Sequence, residues 1–565
     1  MDRAMRRRAA GLMVLFGFAF LAVLARLYSI QVSAHESYAA RREAQSRGLL
    51  RIEPARGGIL DRGRQVLAVS VPVESVWANP SALGDRPAAA RALSETLGLP
   101  EEAVRGRLER TDRRFVWVKR KVSREEAEAV RRLLENPPFL PDRRAPAPRL
   151  GLVLEYARRY PFGSLLAHVI GFQSADPRGN EGLERSADSW LAGEGRVAEV
   201  SVDGRRRPLG FPEGEGAGAD VILTVDVMFQ KVVEEELDAA CGEFRPKWAG
   251  AVALDPRTGE VLALASRPGF DPNEPARFPG EARLNRVVAA PYEPGSTLKP
   301  FLAALALEAG LVTPQTKFDC ENGLWKCGRR ILHDHHPYGT LTLSEVIVFS
   351  SNIGAAKLGA LVLGRERMYE GLRRFGFGQP TGVDLPAEEG GRLFPLGRWN
   401  VYSDTSVPMG HEIAVTPLQL AAAMSALAGG GIWRRPHVVR RVQAPDGTVL
   451  AEGGSGEGRR VVSERTAREM IGILQGVVEK GTGKKAQVPG LAVAGKTGTT
   501  QKVDPQTGQY THEKYIGSFA GFAPAESPRA CVAVVLDEPQ GAYYGGAVAA
   551  PVVGRILRRG LVLVP

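Results

Sequence analysis

Long apolar runs, internal repeats and nucleic-acid-binding motifs are almost absent from this chain of 565 residues. One apolar run near the N-terminus is the exception. No later run is long enough to cross a bilayer, which excludes a protein with many membrane spans. The formal net charge of +11 raises the question of a nucleic-acid partner. Residues 105–149, however, mix 14 Lys and Arg with 7 Asp and Glu in runs that alternate in sign, as on a solvated face. We therefore predict no nucleic-acid partner.

Cysteine is scarce as well, with four residues in the chain. Cys241 and Cys531 lie in apolar stretches and are predicted to be buried free thiols. Cys320 and Cys327 belong to a cluster that also contains His333, Asp334, His335 and His336. Three interpretations of the cluster are open: a Cys320–Cys327 disulfide, free thiols, or a metal site. Because the spacing matches no standard zinc pattern, the disulfide is favoured, and neither a metal nor a cofactor is predicted.

The N-terminus carries the one long apolar run of the sequence. Four arginines precede an apolar stretch that begins at Ala9 and continues, past Arg26, to Val32. Its length is near the ~20 residues that span a bilayer. It is too long for the core of a signal peptide, and no small-x-small cleavage site follows. We predict a cytoplasmic tail (1–8), one uncleaved membrane anchor (9–32) and an exported body, because positive charge stays on the cytoplasmic side.

A glycine-rich segment divides the exported body, which is long enough for at least two domains. Residues 214–219 consist of Gly, Glu and Ala and are interpreted as an interdomain linker. They predict one domain over residues 33–215 and another over residues 216–565. In the first, the periodicity of 88–97 and 123–134 indicates helices. Between Arg56 and Gly63, arginine and aspartate side chains lie among turn-forming glycines, where we expect buried ion pairs.

The second predicted domain has strands at both ends and helices between them. Residues 249–254 and 260–265 flank an Asp-Pro-Arg-Thr-Gly turn and predict a β-hairpin. A helix is predicted around residues 230–240. Near the C-terminus the strand-like segments and the last helix are 492–494, 516–522, 531–536 and 552–558. This order favours an α+β fold, a sheet flanked by helices, over a parallel wound fold.

The most informative stretch of the second domain contains Ser296. Pro-Gly precedes this serine, and the apolar run that follows predicts a helix that reaches Ala309 and is closed by Gly310. Lys299 then lies one turn after Ser296 on the same face. An amine at this distance can take the proton of a serine hydroxyl and make it a nucleophile. Alone, the pattern fits a helix cap followed by a solvated lysine better than it fits a nucleophile.

Two further motifs follow Ser296 in the chain. Ser350-Ser351-Asn352 comes after a helix that a Thr342-x-x-Glu345 capping box opens. Lys496-Thr497-Gly498 lies in a strand-like segment before a long hairpin. Each motif alone is an ordinary turn or strand end. Ser-x-x-Lys, Ser-x-Asn and Lys-Thr-Gly in this order are the signature of penicillin-binding proteins and serine β-lactamases.

With these motifs, the chain resembles the class B penicillin-binding proteins over nearly its whole length, and its last part is similar to their cell-division branch. The segments that carry this second likeness run from Tyr515 to Pro524 and from Leu536 to Ala550. The resemblance implies a pedestal (dimerisation-type) domain over 33–215 and a serine β-lactamase-like transpeptidase domain, with an antiparallel sheet, over 216–565. One departure is Gly410-His411-Glu412, where the family more often has an aromatic residue and a glycine. No role is assigned to His411.

The resemblance also implies a reaction and a set of site residues. The enzyme would be a D,D-transpeptidase that cross-links peptidoglycan stem peptides through an acyl-serine. Ser296 would be the nucleophile and Lys299 the base, with its amine neutralised by desolvation. Ser350 would relay a proton to the leaving amine, and Asn352 would hold the donor amide.

The remaining roles fall on the Lys-Thr-Gly strand. The terminal carboxylate of the substrate would bind to the residues of this strand, namely Lys496, Thr497, Gly498 and Thr499. The backbone N–H groups of Ser296 and Thr499 would form the oxyanion hole, where a donor is worth ~3–4 kcal/mol. β-Lactams would acylate Ser296.

The implied partners and location follow the cell-division branch. They are a membrane-embedded polymerase of the shape, elongation, division and sporulation (SEDS) family, other division proteins, and the inner membrane. Four alternatives stay open: an elongation-type class B protein, a carboxypeptidase, a serine β-lactamase and a penicillin-sensing receptor. The anchor and the pedestal argue against a β-lactamase, and the single span argues against a receptor.

Overall fold

The computed structural model describes residues 3–38, 47–52, 54–135, 139, 150–174, 177–201, 216–454, 456–504 and 506–564. Of the predicted linker, residues 214–219, residues 216–219 are described, and residues 214 and 215 lie outside the described residues. Contacts divide the chain into two compact units. The first unit comprises residues 1–55, 71–157 and 194–217, and the second comprises residues 56–70, 158–193 and 218–565.

The strands in chain order are β1 (Arg47–Ile52), β2 (Ile59–Leu60), β3 (Val66–Ala78), β4 (Val116–Val122), β5 (Leu150–Arg159), β6 (Arg196–Ser201), β7 (Asp220–Leu223), β8 (Trp248–Leu254), β9 (Val261–Arg267), β10 (Lys317–Asp319), β11 (Leu324–Cys327), β12 (Arg330–His333), β13 (Thr340–Thr342), β14 (Arg392–Leu393), β15 (Ile413–Ala414), β16 (Ile432–Trp433), β17 (Val439–Gln443), β18 (Val449–Glu452), β19 (Arg459–Arg460), β20 (Ala494–Val503), β21 (Tyr510–Ala523) and β22 (Ala530–Asp537).

The α-helices in chain order are α1 (Arg3–Tyr28), α2 (Arg86–Leu97), α3 (Glu101–Leu108), α4 (Arg124–Glu135), α5 (Ala167–Ile170), α6 (Gly182–Ser186), α7 (Asp188–Leu191), α8 (Val227–Phe244), α9 (Gly280–Arg283), α10 (Arg286–Ala289), α11 (Lys299–Glu308), α12 (Leu343–Val348), α13 (Asn352–Lys357), α14 (Arg365–Arg374), α15 (Ser403–Ser406), α16 (Pro417–Ala428), α17 (Glu464–Glu479), α18 (Gly545–Val548) and α19 (Ala550–Gly560). Shorter 3₁₀ and π turns link them, among them Ser29–Ser33, Gly295–Leu298, Glu321–Gly323 and Leu358–Leu363.

The first unit contains the apolar N-terminal helix and a small α/β core. Residues Ala10–Ser33 have a mean hydropathy of 2.2 and are long and apolar enough to cross a membrane; they are the one such segment in the described part of the chain. In the core, β4 and β5 flank β3, and α2, α3 and α4 pack through side chains such as Leu93, Val104 and Val130. Both predicted helices are present, as α2 and α4.

The second unit is built on an antiparallel five-stranded sheet in the order β20-β21-β22-β8-β9. Every residue of the central strand β22 is buried. Its alternate side chains face two different helical layers: Val532 and Val534 pack in the cluster that contains α8 and α19, whereas Ala533 and Val535 pack in the cluster that contains α11 and α16. A strand covered on both faces explains this run of small and β-branched residues. The predicted fold class, an antiparallel sheet flanked by helices, is confirmed.

Several local predictions for the second unit are confirmed. The 249–254 and 260–265 hairpin is present as β8 and β9, which pair antiparallel. The predicted helix at 230–240 is α8, which Asp226 caps, and the C-terminal helix is α19. Thr342 and Glu345 form both hydrogen bonds of a capping box at the start of α12. These features depend on residues close in sequence, which explains why the sequence predicts them.

Two segments that the sequence assigned to the N-terminal domain pack with the second unit instead. Residues 56–70 and 158–193 belong to it by contact. The expected buried ion pairs join them: Glu184, fully buried, accepts hydrogen bonds from Arg56 at 2.5 Å and from Arg158 at 2.6 Å. Arg56 also contacts Asp188 at 2.6 Å. Two guanidinium groups around a desolvated carboxylate fasten these segments together, because a buried charge without partners is costly.

The predicted Cys320–Cys327 disulfide is wrong, since both cysteines are free. The buried Cys320 thiol lies 3.3 Å from the Ser351 hydroxyl and 3.7 Å from the Phe318 carbonyl. Cys327 is the last residue of β11, where its partner across the hairpin is Arg330. Cys241 and Cys531 are free as predicted; Cys531 is buried and Cys241 is half-buried.

Candidate active site

The Ser296 stretch forms a tight turn that runs into a buried helix. Gly295 has a φ of 55° and begins a 3₁₀ turn, Gly295–Leu298, that continues directly into α11. Ser296 is half-buried in this turn. Lys299 is the first residue of α11, and Pro300 follows where no N–H is needed. The predicted placement of both residues at the helix start is confirmed.

Glycines let this turn approach β20 without intervening side chains. A Cβ on Gly498 would lie 2.7 Å from the Pro294 carbonyl oxygen and 2.9 Å from the Thr297 methyl group. A Cβ on Gly295 would lie 3.1 Å from the Thr499 carbonyl oxygen. The glycine of Lys-Thr-Gly is therefore required by backbone packing, because any side chain there would push the Ser296 turn off the strand.

The Ser-x-Asn motif lies in a strained turn between two short helices. α12 ends at Val348, and Ser350 has a φ of 63°, which a residue with a Cβ rarely adopts. Ser351 then caps α13 by accepting a hydrogen bond from Gly354 N at 2.9 Å. The reversal directs the side chains of Ser350 and Asn352 toward Lys299, 51 and 53 residues earlier in the chain.

Lys299 is buried inside the site and joins the Ser-x-x-Lys motif to the Ser-x-Asn motif. Its Nζ donates to the Ser350 carbonyl oxygen at 2.7 Å and to Asn352 Oδ1 at 2.8 Å, and the side chain is 1% exposed. Burial lowers the pKa of Lys299 to about 7, against the opposing charges of Asp334 and Cys320. A neutral amine has two N–H donors, which these two acceptors use, and a lone pair that is left to accept a proton.

Lys496 is also fully buried, and its amine faces the Ser350 hydroxyl. Nζ donates to Ser350 Oγ at 3.0 Å, and Lys299 Nζ lies 3.4 Å from the same oxygen. Burial, followed by the charge on Lys299, lowers the pKa of Lys496 well below its ordinary value. The sequence placed Lys496 at the substrate carboxylate; the structure adds a contact with Ser350. The Ser350 hydroxyl therefore lies between the amines of Lys299 and Lys496, both of lowered pKa. These three groups form a chain along which a proton can move.

Two of the threonines of β20, Thr497 and Thr499, contact residues that the sequence did not single out. Thr497 Oγ1 lies 2.7 Å from Thr482 Oγ1, just past the end of α17, and Thr499 Oγ1 accepts from Gly545 N at 2.9 Å. Thr482-Gly483 and Gly545-Gly546 show no pattern beyond ordinary turns, so only their position in the fold identifies them. Because β20 is the edge strand of the sheet, alternate backbone N–H groups point away from β21. The expected oxyanion donors, Ser296 N and Thr499 N, belong to the two segments that Gly295 brings together.

The His333–His336 segment supports the site through hydrogen bonds. Among the described residues, no group of three or more His, Cys, Asp or Glu side chains is placed to hold a metal ion. Asp334 instead contacts Ser351, and the His333 carbonyl accepts from Asn352 Nδ2 at 3.0 Å.

His411, to which the sequence gave no role, lies next to the Ser296 turn. Its Nδ1 is 2.9 Å from Glu293 Oε2, and the same carboxylate accepts from Tyr510 at 2.9 Å. The Gly295 N–H donates to the Gly410 carbonyl at 3.1 Å. These contacts hold the residues just before Ser296 against Gly410, His411 and Tyr510.

A helix-borne serine, a buried lysine of lowered pKa and a second serine between two amines define a serine acyltransferase of the penicillin-recognising class. Family comparison agrees. Residues 249–558 match the penicillin binding protein transpeptidase domain, and residues 51–216 match the penicillin-binding protein dimerisation domain.

Individual relatives extend this match to most of the chain. The probable peptidoglycan D,D-transpeptidase PenA of Neisseria meningitidis is 37% identical over 89% of this chain and 83% of its own length. Peptidoglycan D,D-transpeptidase FtsI of Escherichia coli is 33% identical over 96% of this chain and 89% of its own. The crystal structure of penicillin binding protein 3 from Mycobacterium tuberculosis, complexed with aztreonam, superposes with a TM-score of 0.69 at 30% identity, covering 91% of this chain and 98% of that one.

The chain therefore belongs to the penicillin-binding protein transpeptidase family. The dimerisation region that precedes its transpeptidase domain, together with the likeness to FtsI and PenA, makes it a class B member, as the sequence predicted.

Proposed function

We propose that this protein is a serine-type D,D-transpeptidase that cross-links peptidoglycan stem peptides. The observation that carries the proposal is the buried Lys299 amine, one helical turn from Ser296, with both of its N–H groups bound and its pKa lowered to about 7. Such an amine is partly neutral at physiological pH and can act as a base. The names of the relatives, peptidoglycan D,D-transpeptidases, supply the substrate class.

In the acylation step, Ser296 Oγ attacks the carbonyl carbon between the two terminal D-alanines as Lys299 Nζ takes the hydroxyl proton. The developing oxyanion is held by the N–H groups of Ser296 and Thr499. The C–N bond of the intermediate then breaks, and the leaving D-alanine amine receives a proton. Ser350 Oγ, 3.0 Å from Lys496 Nζ and 3.4 Å from Lys299 Nζ, is placed to pass that proton on.

Recognition of the donor peptide falls on β20 and on Asn352. The terminal carboxylate of the substrate would bind beside Lys496, Thr497 and Thr499. An arriving carboxylate raises the pKa of a nearby amine, so Lys496 would become charged as the substrate binds. Asn352 Oδ1 already accepts from Lys299 at 2.8 Å, so its position relative to the base is fixed before the donor amide arrives.

In the second step, the amine of a neighbouring stem attacks the acyl ester and Ser296 leaves with a proton returned through Lys299. Water in place of the amine would make the enzyme a carboxypeptidase. Incubation with a donor peptide and a supplied amine acceptor separates the two activities. A cross-linked product supports the transpeptidase; release of the trimmed donor alone contradicts it.

The nucleophile is tested with labelled penicillin. Ser296→Ala should abolish covalent labelling, because no other serine in the site follows the Ser-x-x-Lys pattern. Ser81→Ala is the matched control: this exposed serine of the first unit donates to Asn79 Oδ1 at 2.7 Å. The variant should label like the natural protein. Stoichiometric labelling of Ser296→Ala would overturn the assignment, and a mapped adduct on the Ser296 peptide would support it.

We further propose that the enzyme is a β-lactam target that acts in septal synthesis. The likeness to FtsI supports the septal role. The partner would be a membrane-embedded SEDS-family polymerase, met through the α1 anchor and the pedestal domain, neither of which carries a catalytic motif.

Depletion tests the septal role. It should give filaments with blocked septa, and replacing α1 with an unrelated span should impair division while penicillin labelling survives. Rounded cells that still divide would assign the enzyme to the elongation branch.

A further inference from the structure

The carboxylate of Asp334 accepts three hydrogen bonds from the Ser-x-Asn turn and the residue after it, although Asp334 belongs to none of the three motifs. Its Oδ2 accepts from Ser351 Oγ at 2.6 Å. Its Oδ1 accepts from the backbone N–H of Asn352 and, at 3.2 Å, from that of Ile353. One side chain thus binds each of the three residues that follow Ser350. Asp334 is itself fixed, since its N–H donates to the Gly323 carbonyl at 3.1 Å.

These contacts stabilise a backbone that would not hold its shape alone. Ser350 has a φ of 63°, and such a residue persists only when its surroundings impose the conformation. The first N–H groups of α13 have no carbonyl partner within the helix, and a carboxylate is the strongest acceptor for them. Asp334 therefore satisfies the donors on one side of the strained residue, while the capped helix α12 holds the other side.

His333, the last residue of β12 and the neighbour of Asp334, also fixes the Asn352 side chain. Asn352 Nδ2 donates to the His333 carbonyl at 3.0 Å, which leaves Oδ1 facing Lys299 Nζ at 2.8 Å. One face of the β11–β12 hairpin packs on the core, where Leu332 is 4% exposed, and the other faces solvent, where Leu324 and Ile331 are 59% and 54% exposed. The core contact of Leu332 fixes the end of the hairpin, and the hydrogen bonds of residues 333 and 334 carry that position over to the Ser-x-Asn turn.

We propose that Asp334 is a positioning residue for acyl transfer, whose carboxylate holds the Ser350–Asn352 turn so that Ser350 and Asn352 meet the amines of Lys299 and Lys496. The inference rests on the proposed acylation at Ser296 and deepens it. Asp334 touches neither the substrate nor the nucleophile; it acts through Ser351 and through the backbone of Asn352 and Ile353.

The charge of Asp334 gives the proposal a second consequence. Lys299 is faced by the amine of Lys496 from β20, by the thiol of Cys320, and by the hairpin-end residues Asp334 and His335. Asp334 is the carboxylate among them, and it raises the Lys299 pKa against the lowering effect of burial. Removing that charge lowers the Lys299 pKa further, so the amine stays neutral, and able to accept a proton, at lower pH.

The test compares acylation by labelled penicillin across pH 5–9 in the full-length protein. Asp334→Asn keeps a side-chain acceptor for the two backbone N–H groups and removes the charge. Asp334→Ala removes both. The matched control is Asp319→Asn, at the end of β10, whose carboxylate accepts the Glu321 N–H at 2.9 Å and, among the described residues, does not contact the Ser350 turn. Melting temperature and circular dichroism of each variant report folding separately.

We expect Asp334→Asn to acylate more slowly on its plateau, by about tenfold, and to show an acid limb displaced to lower pH by several tenths of a unit or more. Asp319→Asn should match the natural protein in both respects. The proposal is overturned if the acid limb of Asp334→Asn stays at the pH of the natural protein. This holds whether the acylation rate of the variant is unchanged or falls only as much as its lower melting temperature explains. If Asp334→Ala does not fold, the pH profile of Asp334→Asn still tests the proposal. Absence of labelling in the natural protein would instead reject the proposed function itself.

Discussion

At the residue scale, the chemistry of this enzyme depends on how strongly the fold desolvates two lysines. An exposed amine is fully charged at neutral pH and cannot accept a proton. Lys299 is enclosed by α11, the Ser350 turn and β20, and its pKa falls to about 7. Enclosure is therefore the step that turns an ordinary lysine into a base.

The first prediction concerns the pH dependence of acylation. Because the Lys299 amine must be neutral, the acylation rate should rise with pH, about tenfold per unit below the pKa, and level off above about 7. The measurement is the second-order rate constant for labelled penicillin between pH 5 and 9. Lys299→Met should lose roughly 10³-fold or more at every pH. A flat profile in the natural protein would show that a different group is the base.

A second prediction concerns Lys496. Its contact with Ser350 Oγ at 3.0 Å implies a part in proton transfer besides its part in carboxylate binding. Lys496→Ala should therefore lower the rate constant of acylation, by roughly 10²-fold, and also weaken the initial complex. Stopped-flow labelling at several penicillin concentrations separates the two constants. A change confined to the binding constant would show that Lys496 binds the substrate carboxylate and takes no part in proton transfer.

At the element scale, the site is a junction of three segments whose spacing is set by glycine. The Ser296 turn, β20 and the 410–412 turn approach one another through Gly295, Gly498 and Gly410. The Cβ positions at these glycines are already occupied by backbone or side-chain atoms of the neighbouring segment. The distance from Ser296 to β20 is thus set by how closely these three segments pack on one another.

The third prediction tests this spacing. Gly498→Ala places a methyl group 2.5 Å from Ser518 Oγ and 2.7 Å from the Pro294 carbonyl oxygen, which forces the Ser296 turn away from β20. We expect a loss of about 1–3 kcal/mol in the free energy of unfolding and a large fall in acylation. Denaturant unfolding and penicillin labelling measure the two effects.

The control for Gly498→Ala is another glycine of the same unit. Gly472 lies in α17 with nothing within 4 Å of its Cβ position, so Gly472→Ala should be neutral or stabilising by up to ~1 kcal/mol. If Gly498→Ala acylates at the rate of this control, the glycine is not needed for the spacing.

At the scale of the whole molecule, the location of the enzyme depends on one helix. Residues Ala10–Ser33 form the segment that length and composition allow to cross a membrane. Arginines precede it, and the excess of positive charge on that side predicts that the N-terminus stays in the cytoplasm. The site, carried by the second unit, would then lie outside, where peptidoglycan is.

The fourth prediction is this orientation. A reporter that fluoresces only in the cytoplasm, fused after residue 565, should stay dark, whereas the same reporter before residue 1 should be bright. Both fusions should keep penicillin labelling, which shows that the protein is folded. A bright C-terminal fusion would reverse the predicted topology.

The sequence by itself determined the apolar N-terminal helix, the order of the motifs, the hairpin β8–β9, the capping box of α12 and the start of α11. Each depends on residues within a few positions of one another: apolar periodicity, turn residues and capping side chains act locally. Only the tertiary structure decided that Lys496 reaches Ser350, 146 residues away, and that Cys320 is free and contacts Ser351. It also decided that residues 56–70 and 158–193 pack with the second unit. Burial, side-chain direction and the resulting pKa values come from neighbours distant in the chain, so no local pattern contains them.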